Sequence, residues 1–127
     1  MRPTPSVTEA GIARLVDAFY RRVRADPVLA PVFHAALGEE AAAWEAHAER
    51  LCRFWSSLMR RSGAYHGDPY GAHLRLPGLT PAMFDRWLAL FAETCAAEFP
   101  PEVAAAFMER AARVARSLRM GLLERQL

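Results

Sequence analysis

The amino-acid sequence predicts an all-α fold. Apolar residues recur at intervals of three and four through almost the whole chain. No segment alternates with the period of two that a half-buried strand needs, and glycine and proline gather mostly where the periodic stretches end.

Thr8 can cap a first helix running to about Arg24. Its inward stripe is Ile12, Leu15, Val16, Phe19, Tyr20 and Val23, one face of a helix by spacing. Asp26-Pro27 ends it, because a residue preceding proline avoids helical backbone. A short helical piece follows from Val28 to about Leu37 and stops near Gly38. The next helix is predicted from about Glu39 to Arg61, with Trp44, His47, Leu51, Phe54, Trp55 and Leu58 inward and Gly63 in the left-handed closing position. Between Ala64 and Gly78 the breakers Gly67, Pro69, Gly71, Pro77 and Gly78 leave room for one short helix around Tyr70 to Leu74. Thr80-Pro81 starts another helix, Thr80 as cap and proline in the first turn, with the stripe Phe84, Trp87, Leu88, Phe91 and Cys95. Pro100-Pro101 breaks it. A last helix spans about Glu102 to Arg125, with Val103, Phe107, Ala111, Val114, Leu118 and Leu122 inward.

The 127 residues suit one domain, 1–127, with a single core. Apolar residues make up 53% and charged residues 24%, so the chain is not of disordered composition. Charges interrupt every apolar stretch, which excludes a membrane span, and the N-terminal residues lack a signal-peptide pattern. A cytoplasmic protein that engages no membrane is expected. The net charge of +2, carried entirely by arginine on the basic side, is too mild to imply nucleic acid. Arg110, Arg113, Arg116, Arg119 and Arg125 read as a solvated helix face flanked by Glu109 and Glu124. Cys52 and Cys95 are far apart and read as small buried hydrophobes.

Four histidines, His34, His47, His66 and His73, limit the metal chemistry. None has glutamate three residues before it, as a di-iron bundle requires, and no HExxH occurs. Nucleophile elbows and phosphate-cradling glycine loops are also missing from the sequence. What remains is a polar trio in otherwise apolar stripes: Tyr20, His47 and Trp87, each on the inward face of a different long helix. Each carries an N–H or O–H that needs a partner when buried. Any one alone is explained by an ordinary satisfied core residue; together they point to an enclosed pocket for something with acceptor character.

The segment Gly67-Asp68-Pro69-Tyr70-Gly71-Ala72-His73-Leu74-Arg75-Leu76-Pro77 places His73 in a short helix between two breaking turns. With Phe19-Tyr20, Val23-Arg24-Ala25-Asp26-Pro27, Pro31-Val32-Phe33, Trp44-Glu45-Ala46-His47, Phe54-Trp55 and Phe84-Asp85-Arg86-Trp87-Leu88-Ala89-Leu90-Phe91, the chain resembles the truncated haemoglobins. Within them it is most similar to the third group, since it lacks the Gly-Gly pairs typical of the other two.

The resemblance implies a two-over-two helical sandwich around haem b. It makes His73 the iron's protein ligand and puts Tyr20, His47 and Trp87 on the distal side, facing a diatomic ligand. It also implies that Phe33 and Leu51 line the pocket, with Arg50, Arg75 and Tyr65 at the propionate edge. His34 and His66 have no counterpart and read as surface residues. The expected function is binding of dioxygen or another diatomic at haem iron for redox or detoxification chemistry, nitric-oxide or peroxide chemistry included, with an unidentified reductant. The competing reading is a cofactor-free helical interaction module.

Overall fold

The computed structural model describes residues 7–65, 67 and 80–126, the side chains of 122–126 excepted. The short helix expected around His73 lies outside the described residues, as do His66, His73 and Arg75 themselves. Among the described residues there are five helices: α1 (Glu9–Ala25), α2 (Ala30–Leu37), α3 (Ala41–Arg60), α4 (Pro81–Glu98) and α5 (Pro101–Gln126). They form two helix pairs, α1 with α3 and α4 with α5, joined where α1 packs on α4; α2 packs on α1. No described helix is long and apolar enough to cross a membrane.

Helix α1 begins where the Gly11 N–H donates to Thr8 Oγ1 at 3.0 Å, satisfying one of the amides that a helix start leaves without a partner. Its whole apolar stripe is buried. Asp26 closes it in extended backbone. The Asp26 side chain does more than stop a helix. Its Oδ2 accepts the N–H groups of Val28 and Leu29, capping the start of the next helical turn, while Oδ1 accepts from Arg86 Nε and Nη2 on α4. Hydrogen bonding from Arg86 holds its carboxyl below the usual carboxylate range, against the opposing effect of burial.

Two expected helix ends differ. Arg61, not Gly63, takes the left-handed C-cap of α3 at φ 57°, and Gly63 follows at φ 70°. A side chain there costs about 1–2 kcal/mol. The turn is tied by the Arg61 N–H donating to Ser56 O and by a 2.6 Å bond between the Ser56 and Ser62 hydroxyls. Thr80 occupies the N-cap of α4, but its hydroxyl makes no cap bond; Pro81, which needs no N–H partner, opens the helix.

Aromatic rings organise the core. Phe91 is stacked between Trp55 of α3 (centroids 5.1 Å apart, planes at 14°) and Trp87 (5.1 Å, 5°). Phe19 of α1 meets Phe91 edge-on at 5.2 Å and Trp87 at 5.4 Å. Phe107 of α5 closes on Trp55 from below and stacks on Phe99. Four helices therefore meet through rings touching Phe91 or Trp55. Phe91→Ala should lower stability by about 3–5 kcal/mol, as deletion of a buried ring does. A urea unfolding midpoint within error of the parent would show that the stack does not carry this packing.

Candidate functional site

The inward stripes do not fill the interior. Between α1, α2, α3, α4 and α5 lies a cavity of about 350 Å³ whose wall is almost wholly apolar. That size falls in the range of small-molecule pockets, about 300–1,000 Å³. The cavity explains a departure from the expected burial. His47, Leu51, Phe54 and Trp87 are only half-buried although their helical phase points inward, because each fronts this space.

Tyr20, His47 and Trp87, predicted from three separate helices, all line the cavity. The Tyr20 hydroxyl lies 3.0 Å from His47 Nε2, and the two rings meet edge-on. Tyr20 also contacts Phe33 and Trp44, so its ring is fixed on three sides. Burial pushes its phenol far above the ordinary range, so at neutral pH it is a protonated donor. Which way the Tyr20–His47 bond runs depends on the imidazole proton. A bare Nε2 accepts from the tyrosine, whereas a protonated Nε2 donates to it and leaves the phenolic O–H directed elsewhere. The indole of Trp87 is oriented by the Phe91 stack, and its N–H finds no hydrogen-bond partner among the described residues.

Phe33, Leu51, Tyr65 and Arg50 line the same cavity. Arg50 is exposed, placing a guanidinium at the rim. Tyr65 is held by its N–H donating to Ser57 Oγ at 2.9 Å and by an edge contact with Phe54. Residues that the sequence did not assign to the site complete the wall. Leu29, Val32, Ala36 and Leu37 come from α2 and its approach, Met83 from α4, and Val114, Ala115 and Leu118 from α5. The α5 residues belong to an apolar stripe that looks the same whether it meets other side chains or a guest. His34, expected at the surface, is instead half-buried against Trp44, with Nδ1 enclosed and unpartnered among the described residues. Trp44 in turn donates from Nε1 to Gly38 O at 2.9 Å, closing the far end of α2.

A largely apolar slot with hydrogen-bonding groups in its wall and a cation at its rim suits a guest with an apolar body and an anionic edge. Two helix pairs enclosing such a slot define a globin of the shortened, two-over-two class. The chain is 32% identical over 110 residues to the group 3 truncated haemoglobin of Campylobacter jejuni, the match covering 87% of each. It is similar to the crystal structure of the group III truncated haemoglobin from Campylobacter jejuni with a TM-score of 0.89 at 30% identity, over 95% of each chain. The chain matches no protein-family model. It belongs to the group III truncated haemoglobins, a family that implies a haem cofactor.

Tyr20 is one of three tyrosines. In an alkaline titration followed by phenolate absorbance, it should stay silent to about pH 11, where exposed phenols ionise. Tyr20→Phe should therefore leave the amplitude of the ordinary tyrosine step unchanged. Loss of one tyrosine's share of that step would show that Tyr20 is not held in the un-ionised state.

Proposed function

We propose that the chain binds haem b in this cavity and holds dioxygen or another diatomic there for redox or detoxification chemistry rather than bulk transport. The observation that carries the reading is that Tyr20, His47 and Trp87, from three separate helices, all line one largely apolar cavity, with Tyr20 and His47 in hydrogen-bond contact. When bound, the haem supplies coordination of a diatomic and one-electron redox chemistry at its iron. His73 is the protein ligand to that iron in this reading. It is supported by the breaker-flanked segment in the sequence and by membership of the family. Phe33 and Leu51 would line the pocket around it, and Arg50, Arg75 and Tyr65 would hold its propionate edge.

The chain's own donors then act on the guest. Tyr20 keeps its proton because burial opposes phenolate. With His47 Nε2 protonated, the Tyr20 oxygen accepts that proton's bond and turns its own O–H toward the guest. Trp87 offers its N–H from the opposite helix pair. A guest that gains negative charge receives charge-assisted bonds worth about 1.5–3 kcal/mol each. Such retention slows release and opposes transport; an external reductant completes the redox cycle. A cofactor-free interaction module is disfavoured by the same cavity. At about 350 Å³ the cavity is as large as a small-molecule pocket, a space that an interaction module has no use for.

The purified chain supplied with haem should show a Soret band. His73→Ala should lose haem or bind it weakly, and free imidazole should restore part of the spectrum. Normal haem content with an unchanged ferrous spectrum in His73→Ala would overturn the ligand assignment, and absence of a Soret band in the parent would overturn the functional reading.

A further inference from the structure

Asp26 is buried, its side chain 2% exposed, yet it lines no part of the cavity. Both of its oxygens are committed to residues next to the cavity wall. Oδ2 accepts from Leu29 N at 2.9 Å; Leu29 lines the cavity and leads into α2, whose Val32 and Phe33 continue that wall. Oδ1 accepts from Arg86 Nε at 2.8 Å, a partner 60 residues away whose chain neighbour is Trp87. One carboxylate thus joins the α2 wall to the helix turn that carries a cavity donor.

Capping α2 needs only the two backbone N–H groups. The guanidinium, its own side chain 45% exposed, further stabilises the charge of the buried carboxylate. What a planar fork adds is direction and distance. The Phe91 stack sets the plane of the Trp87 ring but tolerates lateral offset, as stacked rings do. An anchor one residue away removes that freedom.

We propose that Asp26 is a positioning residue for the cavity, its bond to Arg86 holding the α2 wall and the Trp87 indole in one fixed relation. The geometric claim stands on the contacts above. Its consequence for a bound diatomic rests on the haem reading.

The test uses the full haem-loaded chain, labelled with fluorotryptophan and held in the carbonmonoxy ferrous form, followed by fluorine NMR. Trp87→Phe and Trp55→Phe assign the resonances. Asp26→Asn keeps an acceptor for the Val28 and Leu29 N–H groups but removes the charge, and Arg86→Gln removes the fork. Each should shift the Trp87 resonance while that of Trp55, across Phe91, stays in place. The double variant should shift Trp87 no further than either single one, since both break one link. Dioxygen release should quicken in the same variants, with carbon monoxide release changing less. A Trp87 resonance unmoved in folded Arg86→Gln, or additive shifts in the double variant, would overturn the proposal. Arg86 is half-exposed, so that variant decides the matter even where Asp26→Asn does not fold. The absorption spectrum of each sample reports separately on haem. A missing Soret band counts against the functional reading, while the fluorine comparison repeated on the chain without haem still decides the link.

Discussion

Phe91 lies face to face between two indoles, and most of the interior depends on that sandwich. Trp55 brings α3 to it, Trp87 extends α4 along it, and Phe19 meets it edge-on from α1. Each aromatic contact adds only about 0.5–1.5 kcal/mol beyond the area it buries. Their arrangement matters more than their sum. Trp55 and Trp87 show one side to Phe91 and also front the cavity. Rigid rings supported from behind form walls that flexible side chains could not hold apart, so the helix pairs do not collapse onto each other.

Polar groups are confined to a few places within this apolar frame, and among the described residues most are committed to a partner or to the cavity, His34 Nδ1 being the exception. Asp26 is surrounded by donors on both oxygens. The Tyr20 hydroxyl has His47. Ser56 donates to the Glu9 carboxylate and its oxygen meets the Ser62 hydroxyl; it lines no part of the cavity. Burial strengthens these bonds and makes an unpaired group costly. Trp87 is the contrast: an indole N–H beside the cavity with no acceptor among the described residues.

Much of this was readable from residue spacing. The buried face of α1, the proline start of α4 and the inward phase of Tyr20, His47 and Trp87 all follow from periods of three and four. Other features were not readable, for physical reasons. A hydrophobic stripe does not reveal whether it meets side chains or an open slot, so Phe54 and Val114 read as plain core, yet they are half-buried at the cavity wall. Asp26 read as a helix stop because its local role, avoiding helix before Pro27, is visible in sequence. Its bond to Arg86 spans the fold and is not. His34 read as surface because the Trp44 ring that covers it comes from the next helix. Gly63 was the favoured left-handed residue by type, but the serine bonds of the turn set that position two residues earlier, at Arg61.

In the proposed reading, Tyr20 and Trp87 donate hydrogen bonds to a charged guest and keep their protons. Release rates of dioxygen and carbon monoxide from the haem-loaded protein test it most directly, in Tyr20→Phe and Trp87→Phe. Both substitutions keep an aromatic ring and remove a donor. Loss of one charge-assisted bond of about 1.5–3 kcal/mol corresponds to dioxygen release faster by about tenfold or more. Carbon monoxide, which gains less charge, should change far less. Dioxygen release unchanged in both variants, or equal acceleration of the two gases, would contradict the account.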